Sequence, residues 1–125
     1  MKILITGCAG FIGFHIANKF LQKKFYVFGL DNMNNYYSVS LKKDRIKILK
    51  KQKRFNFKNI DISNRTKIKN FFKKYKFDVV IHLAAQAGVR YSLEKPYDYY
   101  DSNLIGFSNV IEESKNSNVK NFLFA

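Results

Sequence analysis

Three of the chain's six glycines stand at Gly7, Gly10 and Gly13 in the stretch TGCAGFIG, directly behind the apolar run Ile3-Leu4-Ile5. A strand that turns abruptly into a helix while a diphosphate approaches its backbone needs positions without Cβ at the turn, at the contact and at the helix-packing surface. Gly7, Gly10 and Gly13 meet these three needs. The helix beyond them, entered through Phe11 and Ile12, offers free N–H groups and the positive end of a dipole to an anion. The phosphate loop of nucleotide hydrolases requires Gly-Lys followed by Ser or Thr, whereas Phe11 and Phe14 follow Gly10 and Gly13, so that reading fails. A tight strand-helix turn without a ligand is the alternative for the glycines taken alone. Asp31 narrows the choice. It ends the second apolar run, YVFGL, close to the roughly 20-residue spacing at which an acidic residue accepts hydrogen bonds from a dinucleotide's adenosine ribose. Its charge repels a 2′-phosphate, and Asn32-Met33-Asn34-Asn35 brings no Arg or Lys to offset it. NAD, rather than NADP, is the expected cofactor, with Asn32 beside Asp31 in its site.

Such a site needs a particular set of elements to hold it. KILIT (Lys2 to Thr6) reads as a strand, and Gly13 to Lys24 as a helix with Ile12, Ile16, Phe20 and Leu21 on one face. Tyr26 to Leu30 is a second buried strand. Leu41 to Lys51, with Leu41, Ile46, Ile48 and Leu49 among basic residues, predicts an amphipathic helix, and the alternating RFNFKNI (Arg54 to Ile60) a third strand. Ser63 or Asn64 can cap a helix through Ile68, Phe71, Phe72 and Tyr75. DVVIHLA (Asp78 to Ala84) is the most continuous apolar run and predicts a central fourth strand. Pro96 suits the first turn of a long helix to about Ser114, and Val119 to Ala125 reads as a fifth strand. Strands alternating with helices imply parallel pairing and right-handed crossovers. The expected fold is α/β: a doubly wound parallel sheet of the Rossmann type, about five strands with helices on both faces, incomplete at the C-terminus. Ligands bind such sheets at the carboxyl ends of the strands, near the point where strand order reverses.

At 125 residues the chain is one domain in size, and no Pro- or Gly-rich linker divides it. No apolar run reaches 18 residues, which excludes a transmembrane helix, and the short apolar start ends in the glycine turn rather than a cleavage site. Cys8 is the only cysteine, so no intrachain disulfide forms. A reducing, cytoplasmic setting is expected. His15 and His82 lack close Cys or carboxylate partners, so no metal is implied. Cys8 near a helix N-terminus reads either as a thiol of lowered pKa or as a small space-filling residue. The net charge of +14 raises nucleic acid as a partner. Only four of the 23 basic residues are Arg, however, and the Lys spread over Lys42 to Lys58 and Lys67 to Lys76 as solvated helix faces would. No nucleic acid and no membrane is expected.

The glycine turn, with two residues between its first and second glycines, resembles the extended short-chain dehydrogenase/reductase family. Asp61-Ile62 after the third strand, HLAAQAG after the fourth and YDYYDSN on the next helix extend the resemblance along all 125 residues. More narrowly, GLDNMNNYYSVSLKKDR and HLAAQAGVRYSLEKPYDYYDSNLIGF resemble the UDP-glucuronate 4-epimerases. The resemblance implies that Asp61 accepts from the adenine amino group and that the Ile62 backbone meets the ring; a strand-end cap is the alternative for each. It places Leu83, Ala84 and Ala85 beside the cofactor's ribose and pyrophosphate. Ser102 and Asn103 would bond the cofactor, brace that loop, or form a polar pair within their helix. Gly88, Arg90 and Ser92 would face a UDP-sugar, Arg90 as a fork for carboxylate or phosphate or else as a surface arginine. His82 reads as a strand-end packing residue and His15 as structural.

In that family the chemistry is carried by a Ser or Thr just past the fifth strand and by a Tyr with a Lys four residues later. No catalytic residue is expected within Met1 to Ala125. Tyr91-Ser92-Leu93-Glu94-Lys95 has the Tyr-Lys spacing but lies between the fourth strand and its helix. The chain thus reads as the truncated amino-terminal NAD-binding domain (1–125) of a larger enzyme whose substrate lobe is absent, and a homodimer is expected of the parent. The resemblance implies oxidation of C4 of UDP-glucuronate by hydride transfer to NAD, rotation of the 4-keto sugar, and return of the hydride to its other face. Alternatives are another sugar-nucleotide dehydratase or decarboxylase of the extended family, or a non-catalytic NAD-binding module.

Overall fold

The computed structural model describes all 125 residues, Met1–Ala125. Five parallel strands, β1 (Lys2–Thr6), β2 (Tyr26–Asp31), β3 (Phe55–Asn59), β4 (Val79–His82) and β5 (Asn121–Phe124), form one sheet in the order β3-β2-β1-β4-β5. The intervening helices are α1 (Phe11–Gln22), α2 (Val39–Lys50), α3 (Arg65–Lys74), α4 (Val89–Glu94), α5 (Pro96–Tyr99) and α6 (Phe107–Asn116), with a π-helical segment, Tyr100–Gly106, joining α5 to α6. The doubly wound α/β expectation holds, and the order reverses between β1 and β4. That reversal opens a crevice at the carboxyl ends of these two strands.

The sheet's alternation sorts side chains into two cores. Ile3 and Ile5 of β1 and Ile81 of β4 join Ala17 and Leu21 of α1 and Ile46 and Leu49 of α2 on one face. On the other, Leu4 and Val80 meet Ile68, Phe71 and Phe72 of α3 and Val110 of α6. Successive side chains of a strand point to opposite faces, so one run of apolar residues serves both layers.

Several local readings change. The buried stripe of α1 is Gly13, Ala17 and Leu21, while Ile12 is 57% exposed. A helix that starts directly under a glycine turn lies too close to the sheet for large side chains at its contact line, so Ile16 and Phe20 are displaced to its flanks. On α2, Leu41 and Ile48 are exposed and the buried stripe is Lys42, Ile46 and Leu49. The long helix from Pro96 is interrupted by its π-helical turn, and 89–94, read as loop, is helical.

Asn64, rather than Ser63, caps α3: its side-chain oxygen accepts from the Lys67 N–H at 3.0 Å. Asn64→Ala removes that acceptor and lowers stability by about 1 kcal/mol, read as a lower urea midpoint with an unchanged slope.

Candidate dinucleotide site

A cavity of about 260 Å³ sits in the crevice, floored by the glycine turn and walled by the loops after β2 and β4. Gly7 has φ +72°, and a Cβ there would stand 2.8 Å from the Ala84 nitrogen and 2.9 Å from the Leu83 carbonyl carbon. The turn can therefore touch the β4 loop only as bare backbone. A Cβ on Gly13 would lie 2.9 Å from the Cys8 Cα and closer still to Gly7, which locks the start of α1 beneath the turn. Gly10 has an extended backbone and lines the cavity. Phe11 and Ile12 expose their side chains at the first turn of α1 and do not line the cavity; what they can offer is their amides.

Cys8 is fully buried beside the turn, and burial, with the Asp31 charge second, pushes its thiol well above the ordinary value. It fills space.

Asp31 is held firmly. Its Oδ2 accepts from the Ala9 N–H at 3.1 Å and its Oδ1 from the Met33 N–H at 2.9 Å, so the carboxylate joins the glycine turn to the loop after β2 while lining the cavity. Asn32 lines the cavity and donates its side-chain amide to Asp61 Oδ2 at 3.1 Å. Burial by itself would raise the Asp61 carboxyl, but Asn32, the Ser63 hydroxyl and amide, and the Lys67 charge hold it below the usual carboxylate range. Asp61 thus closes its own turn and stays ionised beside Asn32, but it does not itself line the cavity, whose wall here is Ile60 and Ile62. Ile62 lines the cavity, and its carbonyl accepts from the Asn109 side chain on α6 at 2.9 Å.

Thr6 governs the opposite wall. Its Oγ1 accepts from the N–H groups of Leu83 and Ala84, each at 3.1 Å, and lies 2.8 Å from His82 Nδ1. With both amides donating to the oxygen, the hydroxyl hydrogen goes to Nδ1, and the ring is neutral with its proton on Nε2. Burial pushes the His82 pKa down to about 4, and Phe107 and Phe122 pack on the ring. Leu83, Ala84 and Ala85 line the cavity as a result.

The π-helical turn supplies the next brace. Asn103 accepts from the Gln86 N–H at 2.9 Å and donates to the Gln86 carbonyl at 3.1 Å, while Ser102, beside it, lines the cavity. Of the readings open for this pair, Asn103 takes the loop-bracing one. π-helical turns recur at functional sites because the wider turn redirects side chains.

Gly88, Arg90 and Ser92 are not brought to the cavity wall. Gly88 has φ +100°, and the Tyr36 hydroxyl occupies the space its side chain would take. Arg90 is exposed and takes part in no ion pair, and the Ser92 hydroxyl donates to the Val89 carbonyl at 2.6 Å. The Tyr91 hydroxyl donates to Asp98 at 3.0 Å, which raises its pKa. A Tyr that transfers protons near neutrality needs the reverse shift.

The sequence reading missed Lys42, Asn34, Tyr36, Tyr37 and Gln86, all of which line the cavity. Lys42, read among the lysines of solvated helix faces, is instead buried: it precedes Ile46 by four residues and so falls on the buried stripe of α2. The tyrosines and Gln86 carried no signal.

The comparisons with known proteins agree with this geometry. The family model described as GDP-mannose 4,6 dehydratase matches residues 4–125. The chain is 49% identical over its whole length to Protein CapI of Staphylococcus aureus, of which it spans 37%. It is 46% identical, over 98% of its length, to the UDP-glucuronate 4-epimerase of Thermodesulfobacterium geofontis, of which it spans 38%. The crystal structure of the Bacillus cereus UDP-glucuronic acid 4-epimerase in complex with UDP-glucuronic acid and NAD superposes with a TM-score of 0.88 at 35% identity, covering 99% of this chain and 39% of that one. The chain therefore spans little more than a third of the length of the relatives it matches. The glycine turn, the carboxylate at the end of β2 and the loop after β4, now seen around one crevice, belong to a chain that is a member of the GDP-mannose 4,6 dehydratase family, within the extended short-chain dehydrogenase/reductase group its motifs resemble.

Proposed function

We propose that residues 1–125 are the NAD-binding domain of a nucleotide-sugar 4-epimerase that interconverts UDP-glucuronate and UDP-galacturonate. The single observation that carries this reading is the cradle at Gly7: a turn that a Cβ would fill, bonded to a buried carboxylate that lines the same cavity at the strand-order reversal. The residues present fit the cofactor. Gly7 and Gly10, with the first amides of α1, receive a diphosphate; Asp31 accepts from ribose hydroxyls; Asn32, Asp61 and Ile62 border the adenine end. Leu83, Ala84 and Ala85, held by Thr6, form the wall toward the reactive end, and Asn103 keeps that wall in place through Gln86. When bound, NAD supplies hydride acceptor and donor chemistry, and the protein supplies position. Gly88 and, on α4, Arg90 and Ser92, which follow this wall in the chain, are the part proposed to meet the UDP-sugar.

The choice of UDP-glucuronate rests on the resemblance of two stretches, 29–45 and 82–107, and on the relatives that carry that name. Incubating the full-length protein with UDP-glucuronate and following the sugar by NMR is the test. UDP-galacturonate with no net redox change supports the proposal. Released carbon dioxide or a 4-keto-6-deoxy product rejects it. The cofactor half has its own test: Asp31→Ala, which leaves the ribose end without its acceptor, weakens NAD binding about tenfold or more, read by calorimetry.

A further inference from the structure

The strands of the sheet begin level. Lys2 pairs with Tyr26, Val27 with Phe55, Ile3 with Val79 and Val79 with Asn121, so the amino ends of all five strands lie within one residue of one another along the register. They make a flat end, opposite the dinucleotide crevice and about 20 Å wide at the usual strand spacing. Along the chain the lysines read as separate solvated helix faces, but the fold gathers many of them here. Lys23-Lys24 leads into β2, the run KKQKR (50–54) into β3 and the run KKYK (73–76) into β4, while Lys2 opens β1 and Lys120 precedes β5. All of these lysines are exposed. Backbone bonds set the segments side by side: the Val27 N–H donates to the Arg54 carbonyl at 3.0 Å, Tyr26 to Met1 at 3.1 Å, Asp78 to Lys2 at 2.9 Å and Lys120 to Asp78 at 3.0 Å. The row of cations is therefore continuous from β3 to β5.

Helix electrostatics explains only part of it. A lysine in the last turn of a helix meets the negative end of the dipole, which accounts for Lys50, Lys73 and Lys74. Lys2, Lys24, Lys53, Lys76 and Lys120 lie outside the helices, where gathered like charges repel and destabilise the compact state. Asp78 is the only acid in these connections. Its Oδ2 accepts from the Lys2 N–H at 2.8 Å and its Oδ1 lies 3.8 Å from Lys120 Nζ, and no other lysine of the row is in an ion pair.

Met1 and Tyr26 stand within this row, 55% and 48% exposed. An aromatic ring with a polar tip and an apolar chain, surrounded by ammonium groups, suits a lipid interface whose headgroups are anionic. We infer that the amino end of the sheet is a docking surface for an anionic lipid bilayer. Nucleic-acid surfaces favour the arginine fork and open aromatic rings, whereas this row has one arginine, Arg54, lying over the Tyr26 ring, and is otherwise lysine. No helix of the protein is long and apolar enough to cross a membrane, so the association is peripheral and weakened by salt. Docked this way, the protein turns its dinucleotide crevice toward the solution.

The test is co-sedimentation of the full-length protein with vesicles of phosphatidylcholine, or of an equal mixture of phosphatidylcholine and phosphatidylglycerol. At about 0.1 M salt the wild type partitions at least about tenfold more onto the anionic vesicles, and about 1 M salt removes the difference. The triple variant Lys24→Glu, Lys53→Glu, Lys76→Glu loses about tenfold or more of that partition. A control with the same change in net charge placed elsewhere on the exposed surface, Lys43→Glu, Arg65→Glu, Lys95→Glu, loses less than about threefold. If the reversals at the strand ends unfold the protein, Lys→Gln at the same three positions must lower the partition below that of a control neutralised likewise. Equal losses in the two sets of variants mean that net charge acts rather than this face, and overturn the inference. So does a wild type that binds both kinds of vesicle equally or neither. Duplex DNA that binds more tightly, phosphate for phosphate, than the anionic vesicles assigns the face to nucleic acid and overturns it as well.

Discussion

Gly7→Ala destabilises the protein by about 2–4 kcal/mol, the sum of a left-handed backbone imposed on a residue with Cβ and a collision with fixed main chain. The backbone cost follows from φ +72°. The collision is with the Ala84 nitrogen at 2.8 Å and the Leu83 carbonyl carbon at 2.9 Å, atoms that cannot rotate aside as a flexible side-chain tip would. Relief requires the β4 loop to retreat, and that breaks the two bonds by which Leu83 and Ala84 hold Thr6 Oγ1. Dinucleotide affinity falls with the fold because the same loop forms the cavity wall. Gly10→Ala separates the two effects. Its Cβ meets only the Gly7 carbonyl at 3.1 Å and the Tyr37 hydroxyl at 3.9 Å, with no positive φ. It changes stability by about 1 kcal/mol or less while narrowing the cavity. Urea melts of the two variants, paired with NAD titrations, read the difference. A Gly7→Ala midpoint equal to that of wild type shows the turn to be free of both constraints.

Acid weakens the fold in a window that belongs to His82. The unfolded chain protonates this ring near its ordinary 6.5, whereas the native protein refuses the proton until about pH 4. Between these values the unfolded state binds the extra proton, so stability falls as pH falls from 6.5 to 4, by about 3 kcal/mol in all. Below 4 this group contributes no further change. Asp61 and Asp78, whose native pKa values lie below the ordinary 3.8, act later: their stabilisation is present above that value and is lost as pH falls through the depressed native values. The windows do not coincide. His82→Asn keeps an acceptor for the Thr6 hydroxyl and cannot titrate. It therefore starts less stable at pH 7, for want of the ring between Phe107 and Phe122, but shows a flat profile from pH 6.5 to 4. A slope that persists in that variant assigns the acid sensitivity to other groups.

The readings that succeeded from sequence were those in which spacing dictates backbone. Three glycines at every third place behind an apolar run read as a strand-to-helix turn, and Asn64, one of the two caps the sequence offers, caps α3 through a bond spanning three residues. The apolar run Ile3-Leu4-Ile5 read as a strand of a sheet with helices on both faces, and its side chains divide between the two cores. The readings that needed revision depended on distance to something far along the chain. Ile12 fits the helical period of α1, yet the sheet comes so near at Gly13 and Ala17 that the larger side chain is turned outward.

What the chain's order of residues determined by itself is a doubly wound strand-helix alternation with a bare turn and a carboxylate at one edge of the sheet, because periodicity and local hydrogen bonding act within a few residues. Tertiary structure alone decided that Lys42 stands beside Asp31, that Thr6 grips Leu83 and Ala84 under a neutral His82, and that Asn103 reaches Gln86 from a π-helical turn. Those contacts depend on strand order and register, which bring β4 beside β1 across more than half the chain, and no local pattern encodes that juxtaposition.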